Sequence, residues 1–107
     1  MLMRLSGIST QKKNSAQTDT TCTVYSRGSI SINDTSACSG GAGSGYVYVA
    51  QVGASPAIGE IVYTDSGCRT TPFAGSNGWY NLDDGASVDI AAQIDNNGEI
   101  LDITVCP

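Results

Sequence analysis

The sequence contains no histidine. That absence excludes Ser-His-Asp and Cys-His nucleophile systems, HExxH metal sites and the usual proton shuttle near neutral pH. Charged residues make up only 14% of the chain, and no apolar run reaches the ~18 residues that a membrane-crossing helix needs. Aromatic residues are also few, with one Trp, one Phe and five Tyr. Trp79, Phe73, Tyr63 and Tyr80 all fall between Gly59 and Leu82, which makes that stretch the expected centre of the core. What the chain has in abundance is Gly, Ser, Thr and Asn, the composition of a β-rich extracellular or virion protein. A length of 107 residues suits one domain with a small margin of stability, so covalent staples would help it.

Cys22, Cys38, Cys68 and Cys106 are widely spaced. Zinc sites usually draw their ligands from close pairs such as C-x-x-C, so this spacing favours a disulfide framework, with free buried thiols as the other reading. The first residues, Met1-Leu-Met-Arg-Leu-Ser-Gly-Ile8, lack the continuous apolar stretch of a secretory signal. Disulfides without an export signal fit a protein that leaves the cell by lysis, as a phage virion does, and oxidises outside the reducing cytosol. A signal already removed, or cysteines that stay reduced, would also reconcile the two.

Charge is unevenly placed. Residues 1–27 carry Arg4, Lys12, Lys13 and Arg27 against Asp19, whereas the remainder carries Arg69 against nine carboxylates. Residues 1–20 therefore read as a basic, polar N-terminal arm and residues 21–107 as a single all-β domain. The arm suits an acidic partner, including the body of a neighbouring copy, or is an ordinary solvated tail. Nothing in the body would neutralise phosphates, so nucleic acid is not an expected partner, and neither is a membrane.

The expected elements are strands. Thr21–Ser26 is rich in β-branched and aromatic residues, and Ser29–Ile32 alternates strictly, with Arg27-Gly28 as the turn between them. Asn33–Gly45 reads as a Gly/Ser-rich loop anchored by Cys38. In Tyr46–Ala50 the tyrosines share one face and Val47 and Val49 the other, so Tyr46 and Tyr48 make either a half-buried pair or a platform for stacking a sugar. Glu60–Thr64 is a further strand. The excursion from Asp65 to Gly78, with Arg69, Thr70, Thr71 and Phe73, has too many Gly, Asn and Pro for regular structure, and long loops of this kind often carry the working surface. At the C-terminal end, an Asn97-Gly98 type I′ turn pairs Asn96 with Glu99. That register sets Ile94 opposite Leu101, Ala92 opposite Ile103 and Ile90 opposite Val105 on one face, with Gln93–Asp102 and Ala91–Thr104 on the other. The fold class is thus all-β, a small antiparallel β-sandwich or barrel-like domain with an extended N-terminal arm.

Two acidic motifs invite chemical readings. Asp95-Asn-Asn-Gly-Glu99 gathers calcium-type oxygens but lacks the alternating ligands of an EF-hand, and a hairpin turn explains it. Asp83-Asp84-Gly85 is explained as a turn before a strand, because a carboxylate pair acting as acid and base would need a cleft that so small a chain hardly provides. No catalytic, cofactor-binding or metal-ligating residue is expected.

Ala37-Cys-Ser-Gly40, Val47-Tyr48, the run from Gly59 through Val62-Tyr-Thr-Asp-Ser66 and Thr70-Thr-Pro-Phe73 to Trp79-Tyr80, Gln93–Ile100, and Thr104-Val-Cys106 follow one another in order. This pattern resembles a small β module that recurs in surface proteins and in phage structural or tail-fibre proteins of the Bacteroidetes group. The likeness covers residues 37–106 and implies no catalytic residues. It also implies that Cys38 pairs with Cys106, which leaves Cys22 with Cys68. Large surface proteins carry the module as one part of a long chain, whereas here it stands on a short basic arm. The resemblance and the arm together lead to the expectation of a non-enzymatic structural protein of a phage or phage-like particle, in the capsid decoration, tail or fibre. It would be an oligomer in the virion, with other particle proteins as partners. The alternative is an extracellular or cell-surface module that recognises a glycan or receptor. The expected contact residues are Arg4, Lys12, Lys13, Arg69, Thr70, Thr71, Phe73, Tyr46 and Tyr48.

Overall fold

The structure, a computed structural model, describes residues 19–107. Arg4, Lys12, Lys13 and nearly all of the N-terminal arm lie outside the described residues. The strands are β1 (Thr21–Arg27), β2 (Gly45–Gln51), β3 (Ile61–Tyr63), β4 (Gly78–Asp83), β5 (Asp89–Ile94) and β6 (Ile100–Val105), with one short helix, α1 (Asp34–Gly40), between β1 and β2. They form one antiparallel sheet in the order β3-β2-β1-β4-β5-β6. The fold is all-β, as the composition leads one to expect, and takes the barrel-like form.

The sheet curls until its two edges touch. Val62 donates to the Gly98 carbonyl at 2.7 Å, Ile100 to Glu60 at 3.0 Å and Gly59 to Ile100 at 2.8 Å. The concave face encloses a core of Tyr25, Val47, Val49, Val62, Tyr80, Leu82, Ile90, Ala92, Ile94 and Ile100. These come from every strand, because alternation points every second residue inward. The two tyrosine hydroxyls that enter the core are satisfied: Tyr25 donates to Gln51 at 2.7 Å and Tyr80 to the Gly75 carbonyl at 2.9 Å.

Four expectations need correction. Asn33–Gly45 is not simply a loop, because Asn33 caps α1 by accepting the Ser36 amide at 2.8 Å. The helix packs on the convex side of β4 and β5, where it buries Ala37 together with Asn81 and Ala91. Ser29–Ile32 is not a strand. Only Ser31 pairs, in both directions with Trp79, before the Asn33 cap redirects the chain and leaves Ile32 90% exposed. No hairpin turn forms at Gly28, which continues the pairing of β1 with β4 by donating to Asn81 at 2.9 Å. The Gly59–Leu82 stretch does supply Val62, Tyr80 and Leu82 to the core, but Trp79 alternates with Tyr80 and so lies half-buried on the convex side.

The fourth correction concerns the C-terminal hairpin. Pairing follows the expected register from Ile90–Val105 to Gln93–Asp102, then slips so that Ile94 faces Ile100 and Leu101 bulges out. The turn is the cause. Asn97 does not have the positive φ that a type I′ turn demands, whereas Gly98 has φ +81° and donates to the Asp95 carbonyl at 3.1 Å. The Asp95 carboxylate accepts the amides of Asn97 at 2.8 Å and Glu99 at 2.9 Å, which pairs Asp95 rather than Asn96 with Glu99. One residue must then be absorbed, and the bulge at Leu101 absorbs it. Ile100 is consequently fully buried and Leu101 40% exposed.

This exchange of roles can be measured. Ile100→Ala is expected to lower unfolding stability in urea by about 2–4 kcal/mol and Leu101→Ala by under about 1 kcal/mol. The reverse ranking would restore the unbulged register.

Candidate interaction surface

Both disulfides are formed, Cys22–Cys68 and Cys38–Cys106, with Cα atoms 5.7 Å and 5.5 Å apart. The first ties the excursion after β3 to β1, and the second ties α1 to the chain end just beyond β6. They span sequence separations of 46 and 68 residues. Closing loops of that size stabilises a fold by about 4 kcal/mol each in the chain-entropy account.

The convex side of the sheet divides into two halves. α1 covers β4 and β5, whereas β1, β2 and β3 carry no covering element among the described residues. Register aligns their outward side chains in rows: Val24 beside Tyr48 beside Tyr63, with Cys22, Ala50 and Ile61 on one flank and Ser26 and Tyr46 on the other. Tyr46 is 67% exposed and Val24 49%, while Tyr48 and Tyr63 are half-buried. An isolated bridge from Tyr63 to Pro72 continues the central row into the excursion. The two expected contact regions, the Tyr46/Tyr48 face and the Asp65–Gly78 loop, are therefore one continuous surface. Val24 and Tyr63 belong to it as well. Alternation puts them on some face of their strands, but only the pairing register shows that they share this one.

Within the excursion, Arg69, Thr70 and Thr71 are exposed, and Asp65 organises the turn they make. Its carboxylate accepts the amides of Thr71 at 3.0 Å, Arg69 at 3.0 Å and Thr70 at 3.2 Å. Those bonds, the Thr71 and Arg69 amides foremost, hold the Asp65 carboxyl down at about 2. Phe73 points the other way. Its ring packs against the core, edge-on to Tyr80 at 5.0 Å, and the Arg27 guanidinium lies 5.3 Å from its centre. Arg27 also donates to the Gly28 carbonyl at 2.9 Å, and its Nε is buried without a partner among the described residues. Phe73 and Arg27 thus anchor the loop rather than present it.

Asp83, Asp84 and Asp89 stand at the far end of the β4–β5 hairpin and are occupied locally. Asp84 accepts the Val88 amide at 3.0 Å and the Ala86 amide at 2.8 Å, which lowers its pKa, Asp83 accepts Gly85, and Asp89 accepts the Asn81 side chain. Asp34 is held low by the Thr104 hydroxyl at 2.7 Å and by its neighbour's amide, which pins α1 to β6. Beside that contact lies a depression of about 130 Å³ lined by Asp34, Thr35, Cys38, Ser39, Thr104 and Pro107. Among the described residues no group of His, Cys, Asp and Glu is placed to hold a metal ion, and no helix is long and apolar enough to cross a membrane.

The edges of the sheet are treated unequally. The β3 edge is closed by Gly98–Ile100 and by Phe73, whose amide donates to Val62 at 2.8 Å. On the β6 edge, the Asp102 carboxylate occupies the Ile103 amide at 2.8 Å. β1 differs from both. Gly28 bonds toward β4, and backbone groups alternate along a strand, so Ser26, Val24 and Cys22 point theirs the same way. β4, however, pairs only at Ser26–Asp83 and Arg27–Leu82 before turning off at Asp84. Val24 and Cys22 therefore face a notch with no backbone partner among the described residues.

Comparison with protein-family models, with curated proteins and with solved structures finds no match.

Asp65 sets a pH dependence for the excursion. A carboxyl depressed in the folded state stabilises it fully above the ordinary value of 3.8, and that contribution is lost as pH falls through about 2. Hydrogen exchange at the amides of residues 69–71 is expected to rise by at least about tenfold in Asp65→Ala, with core amides unchanged. In the parent protein, protection at those amides relative to their intrinsic exchange at each pH should fall toward that of Asp65→Ala as pH drops toward about 2. Unchanged exchange in Asp65→Ala would mean that the disulfide alone orders the loop.

Proposed function

We propose that this chain is a non-enzymatic structural subunit of a phage or phage-like particle, a capsid decoration or a component of the tail or fibre, and that it assembles with further copies through residues 1–20. The observation that carries this reading is a separation of charge. All ten acidic side chains lie in residues 19–107 against Arg27 and Arg69, a net of −8, while Arg4, Lys12 and Lys13 stand in residues 1–18 with no acid among them. Opposite potentials on one chain steer copies together and orient them. The stapled build supports the same reading, since two disulfides and amide-clamping carboxylates suit a small protein that must persist in an oxidising medium. So does the likeness of residues 37–106 to a module of phage structural proteins.

A second reading has its own observation in its favour. The Val24–Tyr48–Tyr63 row, with Tyr46 mostly open to solvent, offers adjacent aromatic faces of the kind on which sugar rings stack. On this reading the chain is an extracellular module that recognises a surface glycan or receptor.

Light scattering under non-reducing conditions separates the two. In the first reading the full chain is an oligomer, and a variant lacking residues 1–20 is a folded monomer. A monomer in both forms removes assembly through the arm and leaves surface recognition, to be tried against glycans with Tyr46→Ala as the control.

A further inference from the structure

The notch beside β1 is more specific than an acidic surface. Its floor is a strand edge with the backbone groups of Cys22 and Val24 turned outward, and its rim at the β4 end carries Asp83 and Asp84, with Asp89 paired to Asp83. The β3 seam and the Asp102 carboxylate occupy backbone groups on the other edges, whereas here two successive outward residues face a gap inside the sheet. Asp83, Asp84 and Asp89 bond only amides and Asn81 among the described residues, which leaves their charge uncompensated there. An extended, basic segment without acidic residues would complete both features, and residues 1–18 have that composition.

Asp19 and Thr20, where the described residues begin, are exposed. An arm that joins copies has to seat on another copy's body, so the assembly reading selects the donor. Resting on the assembly reading above, we propose that residues 1–18 of a second copy add a strand to β1 at Cys22–Val24, with Lys12 and Lys13 facing Asp83, Asp84 and Asp89. Exchanged in this way, the arm joins copies by main-chain hydrogen bonds and fixes their orientation by charge.

Three measurements on the full chain test the inference. Val24→Pro removes the amide that faces the notch and no amide that faces β2, so the domain stays folded while association weakens by at least about tenfold. Lys12→Glu together with Lys13→Glu, which alters nothing in the described domain, weakens association by a similar factor at low salt and less at high salt. Val24→benzoylphenylalanine, irradiated in a mixture of isotopically light and heavy copies, is expected to capture a peptide from residues 1–18 of the other copy. Capture of its own arm overturns the exchange between copies, whereas capture of another copy's body, or an oligomer without capture, overturns the notch as the seat while leaving assembly through the arm standing. A full chain that is monomeric throughout overturns the assembly reading and this inference with it.

Discussion

Closure of the sheet depends on three backbone hydrogen bonds between Gly59–Val62 and Gly98–Ile100. They are possible only because the Asp95–Gly98 loop delivers Gly98 against the Val62 carbonyl. A Cβ on Gly98 would crowd that oxygen, and the residue's φ of +81° is one that other residues avoid. The same loop forces the slip that turns Ile100 inward, where it fills the core beneath the seam. Turn, bulge and closure are therefore one constraint, and the concave core, which needs a closed wall to exclude water, is built on it. The excursion is joined to that wall as well, through the Phe73 amide on Val62 and the Arg27–Phe73–Tyr80 stack.

Much of this wall was legible in the residues. The alternation of Val47 and Val49 against Tyr46 and Tyr48 sorts them onto the two faces they occupy, and the hydrophobic pattern of the C-terminal hairpin gives four of its five pairs. The pairing of Cys38 with Cys106 and of Cys22 with Cys68 agrees with what the resemblance implies. What escaped has identifiable causes. α1 is seven residues of low helix propensity that no isolated peptide would keep. Its stability comes from the Asn33 cap, the Asp34–Thr104 bond and the disulfide to Cys106, two of which lie far off in the sequence. The bulge escaped because Asn97-Gly98 favours one turn while the carboxylate of Asp95 enforces another, and a side chain's hold on two amides is not visible in a hydrophobic pattern.

The candidate surface was half legible for a related reason. Tyr46 and Tyr48 announce a face by themselves, but the face becomes a surface only when Val24 and Tyr63 are brought alongside by pairing between strands far apart in sequence. The helix decides its extent, because it covers β4 and β5, and the other half of the convex side carries no covering element among the described residues. Phe73 shows the opposite case. Its place in a Gly-rich loop suggests exposure, yet it is the loop's inward anchor, since a turn held by Asp65 on one side and Cys68 on the other can direct one large ring back to the core.

Self-repulsion is the last constraint. A described body of net −8 works against its own compactness. Part of that cost is offset locally, since Asp34, Asp65, Asp84 and Asp95 each accept backbone amides that would otherwise be solvated, and Asp89 accepts Asn81. Such clamps use the carboxylate's lone pairs and leave its charge in place. The disulfides do not reduce the charge either; they raise the cost of expanding to escape it. Neutralisation has to come from cations, and three of the chain's five are concentrated in residues 1–18, away from the acids they match. A chain that holds its acids in a stapled body and its bases in one terminal stretch therefore relieves the most repulsion when that stretch and a body meet. The body's unprotected strand edge lies beside one such group of carboxylates.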